Sequence, residues 1–310
     1  MHGIFQKFIF LGSRVALLIG NRYIGEKQPL PGCKTDVKEM VKKLTDCDFS
    51  VTSKFDLNLK QMFQEFREFL EKLKSNEPND TLLFYFSGHG VEYKGVQYFI
   101  PVDMEDPEDE KDIIKTAFSC DDAIRDIAEK VSEGLKIIIS DACRSEFKKV
   151  LNDIGSRTGN TYDSININFD PNKPSQDYAA KPNKLVIGPN MAKEKSLCAG
   201  FTGYEIPPSH ISWHESSVDA KANSKRERKN IIRMCAVTKG EMADAGYGNN
   251  LSYYTKALIK HILNPNQSLL SLNIRISEEL KFGDAKPEIA IIAPEEIVNT
   301  FRFNENGEHL

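Results

Sequence analysis

The sequence predicts an α/β fold in which helices cover both faces of a mostly parallel sheet of about six strands, giving three layers. Two observations lead to this prediction. Apolar runs of strand length stop abruptly at small or polar residues, as buried parallel strands do, and the segments between them carry apolar residues at helical spacing. The 310 residues, 40% of them hydrophobic, are enough for one large core. We therefore expect one domain at residues 14–305 after an N-terminal extension at residues 1–13.

The first part of the chain supplies two predicted strands and two predicted helices. Residues 14–21 form an apolar run that ends in a Gly-Asn turn, and residues 49–57 form a second strand-like run. Helical spacing of apolar residues over 34–46 predicts a helix between these strands. A broad apolar face from Met62 to Leu73 predicts another helix, whose aromatic residues are expected in the core.

Two further strands end at chemically reactive residues. Residues 82–90 end in Ser-Gly-His-Gly, and residues 137–145 end in Ser-Asp-Ala-Cys-Arg-Ser. Between them, alternation about a Lys-Gly pair over residues 91–100 predicts a hairpin. A helix is then expected to begin at Asp121 or Asp122, because acidic residues favour helix starts.

The acidic stretch at residues 103–112 contains seven Asp and Glu side chains. We expect a solvated loop there. A calcium site is the alternative, because hard cations take several oxygen ligands, but the EF-hand spacing and its glycine are absent. We therefore expect no cofactor and no metal ligands, with calcium as the one alternative.

Residues 146–229 lack periodicity and are rich in Asn, Pro, Ser, Asp and Lys. We expect a long flexible insertion there, because loops of this length are functional or disordered. Residues 230–238 restore a strand pattern, and a final strand is predicted at 287–293. Two amphipathic helices are predicted between these strands, at residues 249–263 and 268–281.

Composition excludes several function classes. A net charge of −4 and a pI near 6.0 give no basic surface for nucleic acid or an acidic membrane. Six cysteines without a CxxC pair predict neither a zinc site nor a disulfide scaffold and fit a reducing, cytoplasmic location. The apolar stretch at residues 5–11 is too short and too interrupted for a signal peptide, and no later run is long enough to span a bilayer.

The two reactive strand ends predict a catalytic pair. Parallel strands deliver their last residues to one edge of the sheet, so His89 and Cys143 are expected in the same crevice if their strands are neighbours. A thiolate is a nucleophile, and an imidazole can take its proton and later protonate a leaving amine. The Gly90 and Cys143 amides are candidate oxyanion-hole donors, although Gly90 alone could also mark a tight turn.

Five segments carry short motifs: Ala-Leu-Leu-Ile-Gly-Asn (16–21), Thr-Asp-Val-Lys-Glu-Met (35–40), Tyr-Phe-Ser-Gly-His-Gly (85–90), Tyr-Phe-Ile-Pro-Val-Asp (98–103) and Ser-Asp-Ala-Cys-Arg-Ser (140–145). Together these segments resemble the caspase-like peptidases, and among these the paracaspases, with metacaspases next. His89 and Cys143 lie about 54 positions apart, near the spacing of about 50 in caspases. In the caspase cysteine motif, Asp141 stands in the place of Gln and Ser145 in the place of Gly.

The resemblance implies a caspase-type fold and cleavage of proteins after arginine, or after lysine as in metacaspases. Asp36 and Asp141 match family positions whose carboxylates line the specificity pocket and can bind a guanidinium in bidentate fashion. For Asp36, a helix-start acid favoured by the helix dipole is the alternative. A third acid is expected after the strand at 230–238, where Glu241 and Asp244 both remain candidates.

The resemblance also implies partners and regulation. We expect protein substrates with arginine before the scissile bond, a homodimer formed through residues 287–293 or the helices before them, signalling adaptors, and a role in intracellular immune or NF-κB-like signalling. A basic run at residues 221–229 is expected to be cut by the enzyme itself. The alternatives are a calcium-dependent metacaspase-type peptidase and a catalytically silent caspase-like scaffold.

Overall fold

The computed structural model describes most of residues 12–145 and 230–304, together with residues 211–212. The gaps within these ranges are residue 27 and residues 73–76, 78–79, 105–109, 132, 247, 249 and 282–285. The predicted N-terminal extension, nearly all of the predicted insertion at 146–229 and the basic run at 221–229 lie outside the described residues. The description below therefore concerns the predicted domain without that insertion.

The main sheet contains the six predicted strands and one short additional strand. Its order is β2-β1-β3-β7-β9-β10-β8, and all neighbouring strands are parallel except β9 and β10. The prediction of a mostly parallel sheet is confirmed. The strands are β1 (Arg14–Gly20), β2 (Ser50–Phe55), β3 (Thr81–Ser87), β7 (Leu135–Asp141), β8 (Ile211–Ser212), β9 (Ile231–Cys235) and β10 (Glu288–Ile292).

Helices cover both faces of this sheet, which confirms the three layers. Apolar residues of α1, α5, α6 and α7 pack on one face, and those of α2 and α4 pack on the other. Successive side chains of a strand point to opposite faces of the sheet. Each central strand therefore contributes alternate side chains to the apolar cores on the two faces. The helices are α1 (Cys33–Asp46), α2 (Leu59–Glu71), α3 (Glu110–Thr116), α4 (Cys120–Lys130), α5 (Tyr253–His261), α6 (Leu269–Leu280) and α7 (Glu295–Thr300).

Side-chain caps set the observed helix starts. Ser119 accepts the Asp122 amide at 3.1 Å, so α4 begins at Cys120, slightly before the predicted start. Ser252 accepts the Thr255 amide at 2.9 Å and begins α5. The predicted helix at 249–263 therefore starts later than its apolar pattern suggested. Helix α7 was not predicted, since one and a half turns carry little periodicity.

A second, three-stranded sheet lies beyond β3. The predicted hairpin is confirmed as β4 (Gly90–Tyr93) paired antiparallel with β5 (Val96–Phe99), and β6 (Phe118–Ser119) extends it. Lys94 and Gly95 both have positive φ, of 51° and 83°, as the two-residue hairpin turn requires. The predicted loop at 103–112 falls partly outside the described residues, and α3 begins at its end. None of the described helices is long and apolar enough to cross a membrane.

Candidate active site

The carboxyl ends of β3 and β7 lie side by side and carry the two predicted reactive residues. In their parallel register Ser87 is opposite Asp141, so His89 and Cys143 each follow their strand by two residues. The Gly88 amide donates to the Asp141 carbonyl at 3.2 Å and joins the two segments at this point. The structure therefore brings both residues to the same edge of the sheet, as predicted.

The His89 imidazole is held by the loop that follows β1. A carbonyl can only accept, so the 2.7 Å contact between its Nε2 and the Gln28 carbonyl requires a proton on Nε2. The Tyr23 ring packs against the imidazole with centroids 4.4 Å apart. Burial lowers the pKa of His89, and the bond to Gln28 opposes this shift. The neutral imidazole therefore has its acceptor lone pair on Nδ1.

Tyr23 also fixes the backbone at His89. Its hydroxyl accepts the His89 amide at 3.0 Å and donates to the Ile100 carbonyl at 2.6 Å. A side chain on Gly88 would collide with this arrangement, because its Cβ would lie 2.9 Å from the Tyr23 oxygen. Residue 88 must therefore be glycine, because the Tyr23 hydroxyl lies close to its backbone. Tyr23 in turn fixes the position of the segment that carries His89.

The Cys143 thiol is half-buried next to the loop that follows β9. Its Sγ accepts the Ala243 amide at 3.3 Å. Burial raises the pKa of the thiol, the Ala243 amide opposes that shift, and charge on Asp141 adds to it. The resting group is therefore a thiol, which needs a base before it can act as a nucleophile.

The Gly90 amide points toward the Cys143 segment. The His89 carbonyl accepts from Ile100, which leads into β4 and β5, and the Glu92 amide donates to the Ser145 carbonyl on the other side, both at 3.0 Å. Amides two residues apart in a strand point the same way, so the Gly90 N–H lies on the Ser145 side. A Cβ on Gly90 would be 2.6 Å from the Cys143 carbonyl oxygen. This close approach explains the glycine.

Asp36 and Asp141 form a buried pair of carboxyl groups, with 1% and 5% of their surfaces exposed. Ser252 links them, because its amide donates to Asp36 at 2.9 Å and its hydroxyl donates to Asp141. Ser87 donates to Asp36 at 2.9 Å, and Thr255 donates to Asp141 at 2.6 Å. None of these donors carries a net charge, so among the described residues only dipoles solvate the pair.

Both carboxyl groups favour protonation. Burial raises the pKa of Asp36 to about 8, and the charge of Asp141 adds to the shift. Burial likewise raises the pKa of Asp141, while the hydroxyls of Ser252 and Thr255 oppose the shift. A cation placed between the two would remove this penalty. The pair is thus suited to a guanidinium or an ammonium group.

The two candidates for a third acid do not join this pair in the structure. Glu241 lies 3.8 Å from Lys286, and its backbone carbonyl accepts the Arg144 amide at 2.9 Å. Asp244 is exposed and accepts the Gly246 amide of its own turn at 2.9 Å. The structure gives neither residue a contact with Asp36 or Asp141, so the third acid stays a prediction.

Sequence reasoning missed the polar residues that support the site. Ser252 and Thr255 reach Asp141 from the first turn of α5, and Tyr23 reaches His89 from the loop after β1. The Ser252 position carried a local signal, because a serine before an apolar helix pattern is a typical cap. Its second role toward the carboxyl pair depends on tertiary packing, which no local pattern reveals.

Comparison with known proteins gives relatives across most of the chain. A family model described as Caspase domain matches residues 13–298. The mouse (Mus musculus) Mucosa-associated lymphoid tissue lymphoma translocation protein 1 homolog is 32% identical over 132 residues, 43% of this chain and 15% of that protein. The chain thus spans far less than two thirds of that relative. Metacaspase-1 of Candida glabrata is 27% identical over 323 residues, 94% of this chain and 75% of that protein.

The same fold occurs in a solved structure of low sequence identity. Caspase-1 from Spodoptera frugiperda matches with a TM-score of 0.53 and 13% sequence identity, over 96% of this chain and 92% of that one. This likeness identifies the fold. Because the family model extends from the start of β1 into α7, the chain belongs to the caspase-domain family of cysteine peptidases.

Proposed function

We propose that this protein is a cysteine endopeptidase that cleaves proteins after arginine, and after lysine less efficiently. The observation that carries the proposal is the buried Asp36 and Asp141 pair directly beside the His89 and Cys143 strand ends. Two carboxyl groups without a charged partner among their donors form a pocket for a forked cation. A guanidinium fits such a pocket better than an ammonium, because it can bind both carboxylates in bidentate fashion.

The proposed chemistry uses the neutral pair of residues. His89 Nδ1 takes the Cys143 proton, and the thiolate attacks the carbonyl carbon of the substrate arginine. The Gln28 carbonyl accepts from Nε2 and stabilises the imidazolium that forms. The Gly90 and Cys143 amides donate to the developing oxyanion.

Three proton transfers then complete the cycle. His89 protonates the leaving amine as the C–N bond breaks, which leaves a thioester on Cys143. Water attacks the thioester carbon while His89 takes a proton from it, and the thiolate leaves and is reprotonated. Both half-reactions use the same base, so loss of either residue should abolish turnover.

The proposed specificity follows from desolvation. Substrate guanidinium would replace the proton that Asp36 or Asp141 otherwise keeps, and a buried charge pair forms. Loss of one member of such a pair costs about 2 to 5 kcal/mol. A neutral substrate gains nothing from the two carboxylates, and an aspartate substrate would be repelled.

The test is cleavage of fluorogenic peptides that end in arginine, lysine or aspartate. We expect the arginine peptide to be cleaved best, and Cys143→Ala and His89→Ala to be inactive with no additive loss in the double variant. Asp141→Asn should lower kcat/KM for arginine far more than for a neutral residue. Asp46→Asn is the matched control, because Asp46 is an exposed acid at the far end of α1, the helix that carries Asp36. Equal cleavage after arginine and aspartate, or activity of Cys143→Ala, would refute the proposal.

A calcium-dependent metacaspase-type peptidase is the second candidate. It is favoured by the match to Metacaspase-1 over 94% of the chain. Within the described residues no cluster of three or more His, Cys, Asp or Glu could hold a metal, although residues 105–109 of the acidic stretch lie outside them. Cleavage assays with added calcium and with a chelator separate the two candidates. On the paracaspase resemblance we also propose a cytoplasmic signalling role with protein adaptors.

A further inference from the structure

Gln97 is a buried amide that lies against the segment carrying Cys143. It belongs to β5, and only 1% of its surface is exposed. Its Nε2 donates to the Cys143 carbonyl at 3.3 Å and to the Ser140 hydroxyl at 2.9 Å. Its Oε1 accepts from the Arg233 guanidinium at 2.8 Å. The side chain therefore connects the nucleophile's own peptide group to a buried cation in β9.

These partners fix the orientation of the amide. A guanidinium offers only donors and a carbonyl only accepts, so exchanging the two ends of the amide would leave both contacts unfavourable. Arg233 is itself held near Asp121, with 3.6 Å between their charged groups. Gln97 thus presents an N–H group to the Cys143 carbonyl in one defined geometry.

The same carbonyl lies directly beside Gly90. A Cβ atom added to Gly90 would lie 2.6 Å from the Cys143 carbonyl oxygen. The Gly90 N–H points to the side of the Cys143 segment. A buried carbonyl that loses its donor turns to the nearest available one. For Cys143 that donor would be the Gly90 amide, which the proposed mechanism reserves for the oxyanion.

We propose that Gln97 is a positioning residue that holds the Cys143 carbonyl away from the Gly90 amide and so keeps the oxyanion hole open. This inference rests on the proposed function for its kinetic consequence. Loss of one oxyanion donor lowers kcat by about 100- to 1000-fold. Substrate binding through Asp36 and Asp141 does not involve Gln97, so KM should change little.

Two substitutions separate positioning from mere support of the fold. Gln97→Glu keeps the size of the side chain and an acceptor for Arg233, but replaces the donor with a carboxylate oxygen that repels the Cys143 carbonyl. Gln97→Met removes both contacts. We expect kcat to fall about 100- to 1000-fold in both, with KM within about twofold of the unmodified protein. Val96→Ala, a neighbour in β5 whose side chain points to the opposite face, is the control and should leave kcat unchanged.

A spectroscopic test needs no substrate. The protein is labelled with ¹⁵N-glycine and ¹³C-carbonyl histidine. An NMR spectrum that detects only ¹⁵N amides bonded to a ¹³C carbonyl then shows the glycines that follow histidine, which are Gly3 and Gly90. In both Gln97 variants we expect the Gly90 amide proton to move downfield and to exchange more slowly with solvent, because it now donates to Cys143.

The outcomes are distinguishable. A wild-type protein that cleaves no arginine peptide defeats the proposed function, while the Gly90 signal still tests the positioning of the carbonyl. Full kcat in Gln97→Glu, or an unchanged Gly90 signal in this variant, overturns the inference. If Gln97→Met fails to fold, Gln97→Glu alone decides, because its pairing with Arg233 preserves the buried contact.

Discussion

Burial moves the ionisable groups of the site toward their uncharged forms. The pKa of the Cys143 thiol is raised and that of His89 is lowered, both mainly by loss of contact with water. The pKa values of Asp36 and Asp141 are raised for the same reason. The resting site therefore contains a thiol, a neutral imidazole and a carboxyl pair that retains a proton near neutral pH. Under the proposed function, charge separation becomes favourable when the substrate brings its own cation and a carbonyl for the oxyanion hole.

The raised pKa of Asp36 predicts that the free energy of unfolding falls as pH rises. The folded protein keeps this proton up to about pH 8, whereas an unfolded chain releases it near the ordinary value of about 4. Between these values the folded state binds more protons than the unfolded state. The contribution of the Asp36 proton to the free energy of unfolding is therefore fully present below about pH 4 and is lost as pH rises through 8. The slope is at most about 1.4 kcal/mol per pH unit. Urea unfolding across this window measures it.

Asp36→Asn is the control for this linkage, because the amide has the same shape and does not titrate. We expect its stability to vary less with pH over the same window. A guanidine compound such as agmatine should reverse the trend in the unmodified protein, since its binding favours the ionised pair. Identical pH slopes for the variant and the unmodified protein would contradict the assignment.

At the scale of the elements, the sequence predicted what depends on local pattern. All six main strands were predicted from apolar or strand-like runs, and the hairpin was predicted because Lys94 and Gly95 supply its turn. The short elements β6, β8, α3 and α7 were missed because segments of two to seven residues carry too little periodicity. The support of Asp141 by Ser252 was missed because it joins residues far apart in sequence.

Arg144 joins three elements, and its removal should destabilise the protein strongly. Its guanidinium contacts Glu92 of β4 at 3.2 Å and Glu288 of β10 at 3.0 Å, with 7% of the residue exposed. Arg144→Ala leaves the buried Glu92 without this partner, which we expect to cost about 3 to 5 kcal/mol. Lys239→Ala is the matched control, because Lys239 contacts the same carboxylate at 2.8 Å but is 59% exposed. It should cost less than about 1 kcal/mol.

Chemical unfolding in a Cys143→Ala background measures both effects without proteolysis. If the two variants lose the same free energy of unfolding, the buried ion pairs of Arg144 do not stabilise the turn after β7. If the prediction holds, the turn after β7 depends on β10 for its stability. This dependence matters for the whole molecule, because β10 lies near one edge of the main sheet.

The whole sheet is asymmetric at its edges. Strand β2 ends one side, while on the other side β8 pairs with β10 only at Ile289 and Ala290. Beyond these two residues, no further strand of the described part of the chain pairs with β10 on this side. Such an edge is a template for pairing with another chain. The twofold interface predicted from the family resemblance would use this edge.

We expect the active protein to form a homodimer through β10, with the short strand β8 displaced or shared. A twofold axis would place β10 antiparallel to its copy, which suits an isologous interface. Glu288 contacts Arg144, the residue after the nucleophile, so pairing at this edge would steady the turn that carries Cys143. Light scattering over a range of concentrations should show a mass that rises from 35.0 kDa toward that of a dimer, and specific activity should rise with it.

Ala290→Lys should keep the protein monomeric and weakly active, because like charges would meet across the axis. Ser53→Lys at the opposite edge, in β2, should change neither property, and a fully active monomer would rule the interface out.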